Sequence, residues 1–205
     1  MAEITKLRHL TSAGLMDCKK ALAETNGDID AAVEILRKKG QAVAAKREDR
    51  QASEGCVLAG ANGNFAAVFA LKCETDFVAK NQVFVDLTKA ILKLALDNKV
   101  KTAEELGKLP MDGLTVADKI VEEVGKTGEK MEIGAYETIE APTVAFYNHF
   151  GNKLAVIVGF NQADVNYEVG HDVAMQIASM NPMAVDRNSV PQETIDTELK
   201  VAIEK

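Results

Sequence analysis

Cysteine is scarce in this chain and long apolar runs are missing, and each shortage excludes something. The three cysteines, Cys18, Cys56 and Cys73, are odd in number, widely spaced and without a CxxC pair. That argues against a disulfide framework or a zinc site and places the chain in the cytosol. No apolar stretch approaches the roughly 18 residues that a membrane span needs, and the opening MAEITKLRHL lacks the apolar segment of a signal peptide. A cytoplasmic protein with no membrane partner is therefore expected. Neither a GxxxxGKS/T phosphate loop nor a GxGxxG turn occurs, so no direct nucleotide binding and no cofactor is expected.

What is present is an ordinary soluble composition: 205 residues, 47% hydrophobic and 27% charged, enough for one or two domains with a real core. Charge is unevenly spread. Residues 1–50 hold ten Lys/Arg against eight Asp/Glu, and the remainder holds fourteen against twenty-three. An acidic main body is a poor partner for nucleic acid, because phosphate contacts need clustered cations. A protein partner suits it better.

The first forty residues read as three short helices, over Ile4–Leu10, Met16–Thr25 and Ile29–Lys39. TSAGL breaks the first two, Gly27 supplies a left-handed turn, Asp28 caps the third helix, and Gly40 is its expected stop. The pattern resembles a ubiquitin-associated (UBA)-like module. Residues 41–54, rich in charge and alanine, read as a linker that lets this module move. CVLAGANGNFAAVFALKC then reads as a β-hairpin turning at Ala61-Asn62-Gly63-Asn64. A helix over Asn81–Asp97 follows, with Phe84, Leu87, Ile91, Leu94 and Ala95 on one face. Another helix is expected over 114–128, more strands in MEIGAYETIEA and TVAFYNHFGNKLAVIVGF, a helix over Val165–Met180, and a final helix opened by Pro191.

A repeat at an offset of 88 residues supports this division. GNFAAVFALKCETDFV (63–78) overlies GNKLAVIVGFNQADVN (151–166), with Gly63/Gly151, Asn64/Asn152, Ala67/Ala155, Val68/Val156 and Asp76/Asp164 identical. The expected fold class is α+β: the three-helix module (1–40), the linker (41–54), a core subdomain over 55–138, a related and incomplete one over 139–190, and the start of a helical extension over 191–205. Each subdomain would be a small antiparallel sheet with helices on one face. The copies differ at one place. The first has Asp76-Phe77, a large ring on a connection that should face water, where the second has Asp164-Val165, a cap followed by a core residue. Phe77 either staples its own helix or serves a partner.

Catalytic chemistry is hard to find. His9, His149 and His171 are far apart; His149 reads as a half-exposed strand residue, and His171 as a surface pair with Glu168. Asp17 and Glu74 flank Cys18 and Cys73 and would raise a thiol pKa rather than activate it, so both cysteines read as buried. Met175, Met180 and Met183 read as core filler. The chain is not expected to be an enzyme.

LRHLTSAGLMDCKKALAETNGDIDAAVEILRKKG, CETDFVAKN and HDVAMQIASMNP, in this order and separation, resemble bacterial elongation factor Ts over essentially all 205 residues. The resemblance implies a three-helix N-terminal module, a two-part α+β core, a coiled-coil insertion and a C-terminal module. It also implies guanine-nucleotide exchange on elongation factor Tu, GDP-bound and nucleotide-free, in protein biosynthesis. Thr75, Asp76, Phe77 and Val78 would disturb the Mg²⁺ site of that GTPase, with support from Gln176, Met16 and Asp17. The chain departs from the family pattern in three places. TSAGL stands for TGAGM, a change Ser12 should tolerate, and Gln176 stands where many members carry histidine. The chain also stops at Lys205, about where the coiled coil would begin, which leaves the second sheet expected to expose an edge or an apolar face. The rival reading is a non-enzymatic adaptor that uses the UBA-like module to bind a ubiquitin-like or ribosome-associated partner.

Overall fold

The computed structural model describes residues 2–11 and 13–204, so the expectation at Ser12 lies outside the described residues. Three helices come first: α1 (Ala2–Thr11), α2 (Leu15–Glu24) and α3 (Ile29–Lys46). They enclose a small core of Leu7, Cys18, Ala21, Leu22 and Ala32. Gly27 takes the left-handed turn at φ 88°, and the Asp28 carboxylate caps α3 by accepting the Ala31 N–H at 3.0 Å.

The next elements are β1 (Glu54–Asn62), β2 (Phe65–Cys73), α4 (Asp76–Ala79), α5 (Gln82–Asn98), α6 (Ala103–Lys108), β3 (Pro110–Met111), β4 (Leu114–Thr115), α7 (Val116–Thr127) and β5 (Met131–Glu140). The hairpin turns at Gly63, where φ is 62° and glycine carries no steric penalty. Strands β1, β2 and β5 form one antiparallel sheet in that order. Period-two alternation sends Phe65, Ala67, Phe69 and Leu71 of β2 to the face covered by α5, where they meet Phe84, Leu87, Ile91 and Ala95. Tyr136 of β5 joins them edge-on to Phe69 and donates its hydroxyl to the Val100 carbonyl at 2.6 Å. The α6 helix and the two-residue strands β3 and β4 have no counterpart in the sequence reading, because elements this short carry no period.

Helix α3 does not stop at Gly40. It runs to Lys46, so the expected linker over 41–54 opens in helix, and Val43 and Ala44 pack against the main core. The cause is a close helix crossing: Gly40 faces Gly125 of α7, and a Cβ on Gly125 would lie 2.7 Å from the Gly40 Cα. The position that the crossing keeps bare is Gly125; Gly40 lies within α3 at the crossing rather than at its end, and the module is fastened to the core.

The second unit comprises β6 (Thr143–Asn148), β7 (Ala155–Phe160) and α8 (Tyr167–Met180), followed by a 3-10 turn (Arg187–Ser189) and α9 (Gln192–Ile203). The β6–β7 hairpin crosses the face of the first sheet opposite α5, where bare Gly159 lies over Ile139 and Ala141. On the hairpin's other side α8 approaches through Gly170, which faces Ala145. The layers are therefore α5, the three-stranded sheet, the hairpin and α8. Asn148 closes the outer edge of β1: its side-chain oxygen accepts the Ala59 N–H at 2.6 Å and its amide donates to the Ala59 carbonyl at 2.9 Å. The carboxamide mimics a paired strand.

Two expectations fail in this unit. Helix α8 starts at Tyr167 with Asn166 as its cap, accepting the Glu168 N–H at 2.8 Å, so Asp164 caps nothing. The methionines are not core filler either: Met175 is 42% exposed and Met180 67% exposed, because the inward face of α8 is narrow and already filled by Gly170 and Ala174, and Met183, past the end of that helix, is 67% exposed.

Candidate functional site: the turn from Thr75 to Val78

Strand β2 ends at buried Cys73, and the chain must turn to reach α5. Thr75 makes the turn by capping α4: its backbone is extended, and its Oγ1 accepts the Val78 N–H at 3.4 Å. One helical turn follows. Ala79 is buried and Val78 half-buried against the main core, which anchors that side of the turn. Phe77, about 200° from the buried Ala79 around the helix, points the other way and is 84% exposed. It does not staple its own helix. Burying such a ring is worth about 1.5–3 kcal/mol, a gain the free protein forgoes.

Polar contacts brace the turn. The Glu129 carboxylate accepts the Thr75 N–H at 3.0 Å through Oε2 and the Thr75 hydroxyl at 2.6 Å through Oε1. Glu74 accepts the Lys130 N–H at 2.7 Å and Nη1 of Arg47, just past α3, at 3.0 Å. The Lys130 N–H, then the Arg47 hydrogen bond and charge, hold the Glu74 carboxyl below its ordinary range. Asp76, in the first turn of α4, pairs with Lys80 at 2.7 Å, and that hydrogen bond and charge likewise lower its pKa. An ionised carboxylate there also favours the helix N-terminus.

The Cys73 thiol donates to the Thr75 carbonyl at 3.3 Å and is pushed up to about 11, first by burial and then by Glu129. The carboxylates that raise it are Glu129 and Glu54 rather than the adjacent Glu74 that the sequence suggests. Cys18 and Cys73 are both fully buried, as expected. Glu129 itself was missed. It lies 54 residues from Thr75, directly after the left-handed Gly128 that ends α7, and nothing local marks it.

The other candidates stand apart from the turn. Met16 is exposed at 61% beside exposed Leu10 and Leu15, and Asp17 is half-buried and pairs with Lys39 of α3. Gln176 is exposed on α8. Among the described residues, no hydrogen bond or ion pair joins these three to the Thr75–Val78 turn. His171 does not pair with Glu168. Its Nδ1 lies 3.2 Å from the Phe146 carbonyl, and its ring sits between Tyr147 and Tyr167. His149, just beyond β6, is exposed, with Nδ1 2.8 Å from the Tyr147 hydroxyl. Among the described residues no cluster of His, Cys, Asp or Glu could hold a metal ion, and no helix is long and apolar enough to cross a membrane.

Comparison with known proteins bears on the whole chain. The family model described as Elongation factor TS matches residues 74–205, which include the turn. The Elongation factor Ts of Phocaeicola vulgatus is 58% identical over 207 residues, covering 100% of this chain and 62% of that protein. That of Azobacteroides pseudotrichonymphae is 54% identical over 203 residues, covering 99% of this chain and 74% of that protein. That of Porphyromonas gingivalis is 55% identical over 204 residues, with 99% and 74% covered. The chain thus spans between 62% and 74% of the length of these relatives. With the braced turn inside the region the family model matches and relatives more than 50% identical over nearly the whole chain, the chain belongs to the elongation factor Ts family.

Proposed function

We propose that this chain is a guanine-nucleotide exchange factor for elongation factor Tu, which it binds in the GDP-bound and nucleotide-free states. The observation that carries this reading is Phe77, a large ring held in solvent at 84% exposure on a turn braced from several sides. Exchange of this kind makes and breaks no covalent bond. A partner that binds the nucleotide-free GTPase more tightly than the GDP-bound form must weaken GDP by the same factor.

The Phe77 ring enters a groove of the GTPase and displaces side chains that support the segment coordinating magnesium. Mg²⁺ links the nucleotide phosphates to that protein, so loosening its ligands loosens GDP. Rigid aromatic area suits the task because it loses little conformational entropy on docking. Asp76 aims the turn and competes for polar groups near the site, while Thr75 and Val78 fix its shape. The N-terminal module contributes a second contact through Met16 and Asp17, and Gln176 supports the interface from α8. Because α3 is packed on the core through Gly40, Val43 and Ala44, the module acts as a fixed arm.

The test is release of labelled GDP from purified elongation factor Tu with and without this chain. Phe77→Ala should slow stimulated release about ten- to a hundredfold, which is about 1.4 kcal/mol per decade, with the melting temperature of the free chain unchanged. A Phe77→Ala protein that melts early but still exchanges nucleotide would make the ring structural and overturn the reading.

A further inference from the structure

We infer that Glu129 is the positioning residue of this site: it holds the Phe77 turn in its docking-competent shape without touching the partner. The inference rests on the exchange reading above, but part of its test does not.

A four-residue helix has no stability of its own, because nucleating a helical turn costs more than its one or two hydrogen bonds return. Something must hold α4. Its N-terminus is held by Thr75, and Thr75 is held by Glu129, whose two oxygens take the Thr75 N–H and the Thr75 hydroxyl. The hydroxyl is then used fully, donating to Glu129 while accepting the Val78 N–H. Two torsions of the cap residue, one backbone and one side-chain, are thereby set by a single carboxylate. That carboxylate is itself seated on a well-anchored element: it follows the α7 C-cap Gly128, and its own N–H donates to Thr127 Oγ1 at 3.2 Å. A second strap runs the opposite way, from the Lys130 N–H to Glu74. The connection after α7 and the turn before α4 therefore hold each other.

The second unit supplies an internal control. At the offset of 88 residues Thr75 corresponds to Ala163, which has no hydroxyl to clamp, and no helix corresponding to α4 forms before α8. The clamp occurs in the copy that displays the aromatic ring. A ring whose docking must be ordered on binding loses affinity or rate to that ordering, so a preset turn serves exchange directly.

The experiment compares Glu129→Ala, Thr75→Val and the conservative Glu129→Gln, which still offers an acceptor to the Thr75 N–H. Amide hydrogen exchange on the free chain comes first and needs no partner. Glu129→Ala and Thr75→Val should each lower the protection of the Val78 and Ala79 amides, with the amides of β2 and α5 unchanged, and Glu129→Gln should restore part of it. Unchanged protection at Val78 and Ala79 would overturn the inference whatever the chain binds. Stimulated GDP release from elongation factor Tu comes second. Glu129→Ala should lower the saturating rate about three- to tenfold, within the range that small misplacements of a functional group produce, and should have no further effect in a Phe77→Ala background. A loss that adds fully to that of Phe77→Ala would mean that Glu129 acts elsewhere. If the wild-type chain stimulates no release, the exchange reading fails, and the amide data still decide whether Glu129 sets the turn.

Discussion

The hairpin-and-helix unit of β1, β2 and α5 and the unit of β6, β7 and α8 have the same order of elements and very different surroundings. In the first, β2 buries every other residue completely, and α5 buries Phe84, Val85, Leu87, Thr88, Ile91, Leu92 and Ala95. In the second, every residue of β7 is half-buried and α8 buries only Gly170 and Ala174. The first sheet has a third strand, is covered on one face by α5 and on the other by the second hairpin, and supports α7 and through it the N-terminal module. Shared pattern specifies shared local structure, and burial comes from neighbours. The connections also differ. The first inserts a braced turn of helix with Phe77 outermost, while the second passes straight to the Asn166 cap.

The sharpest way to break the comparison is a matched pair of helix truncations. Ile91→Ala, at a site with no exposure, should cost about 2–5 kcal/mol. Met175→Ala on α8 should stay within about 0.5 kcal/mol. Urea unfolding checks both, and equal losses would mean that the second unit is as well packed as the first.

A second pair tests whether the first unit anchors the N-terminal module. Gly125→Ala drives a Cβ to 2.7 Å from the Gly40 Cα, and backbone must move. The expected cost is about 1–3 kcal/mol, with faster proteolysis in α3. Gly40→Ala places its Cβ 3.5 Å from the Gly125 Cα and 3.6 Å from the Val121 carbonyl, ordinary contact distances. Its gain in helix propensity, about 1 kcal/mol at most, should leave it neutral or slightly stabilised in thermal melts.

The smallest effect concerns pH at the connection only the first unit possesses. Glu74 is held below its ordinary range by the Lys130 N–H and by Arg47. A carboxylate lowered by folding contributes stability that is complete above its unfolded pKa, near about 4.3, and is lost as pH falls toward the lower folded value. The gap in melting temperature between the wild type and Glu74→Gln should therefore be widest near neutral pH and close below about pH 4. A gap that widens on acidification would have the wrong sign.

Much of the first unit was legible in the sequence because its determinants are local. Gly63 between two apolar runs marks the hairpin, Asn81 marks the start of α5, and the spacing of Phe84, Leu87, Ile91 and Ala95 marks its inner face. Phe77 was legible as an anomaly, since no local rule places a large ring there and the second copy does without it. The sequence pattern puts the α8 cap at Asp164 because two residues with capping chemistry lie close together, and only the backbone path selects Asn166. The methionines read as core in the sequence because hydrophobicity reports what a side chain could bury, and whether a neighbour reaches it is a separate matter.

Local sequence by itself determined the order of the longer helices and strands, the turns at Gly27 and Gly63, the cap at Asp28, the start of α5 near Asn81, and the oddity of Phe77, because each depends on residues within a turn or two along the chain. Tertiary structure alone decided that α3 continues through Gly40 to meet Gly125, that Asn148 closes the edge of β1, and that Glu129 takes hold of Thr75 from 54 residues away. Each of these joins groups that have no relation until the sheet forms and α7 is laid against it, and a hydrogen bond or a 2.7 Å steric limit between such groups leaves no period in the sequence.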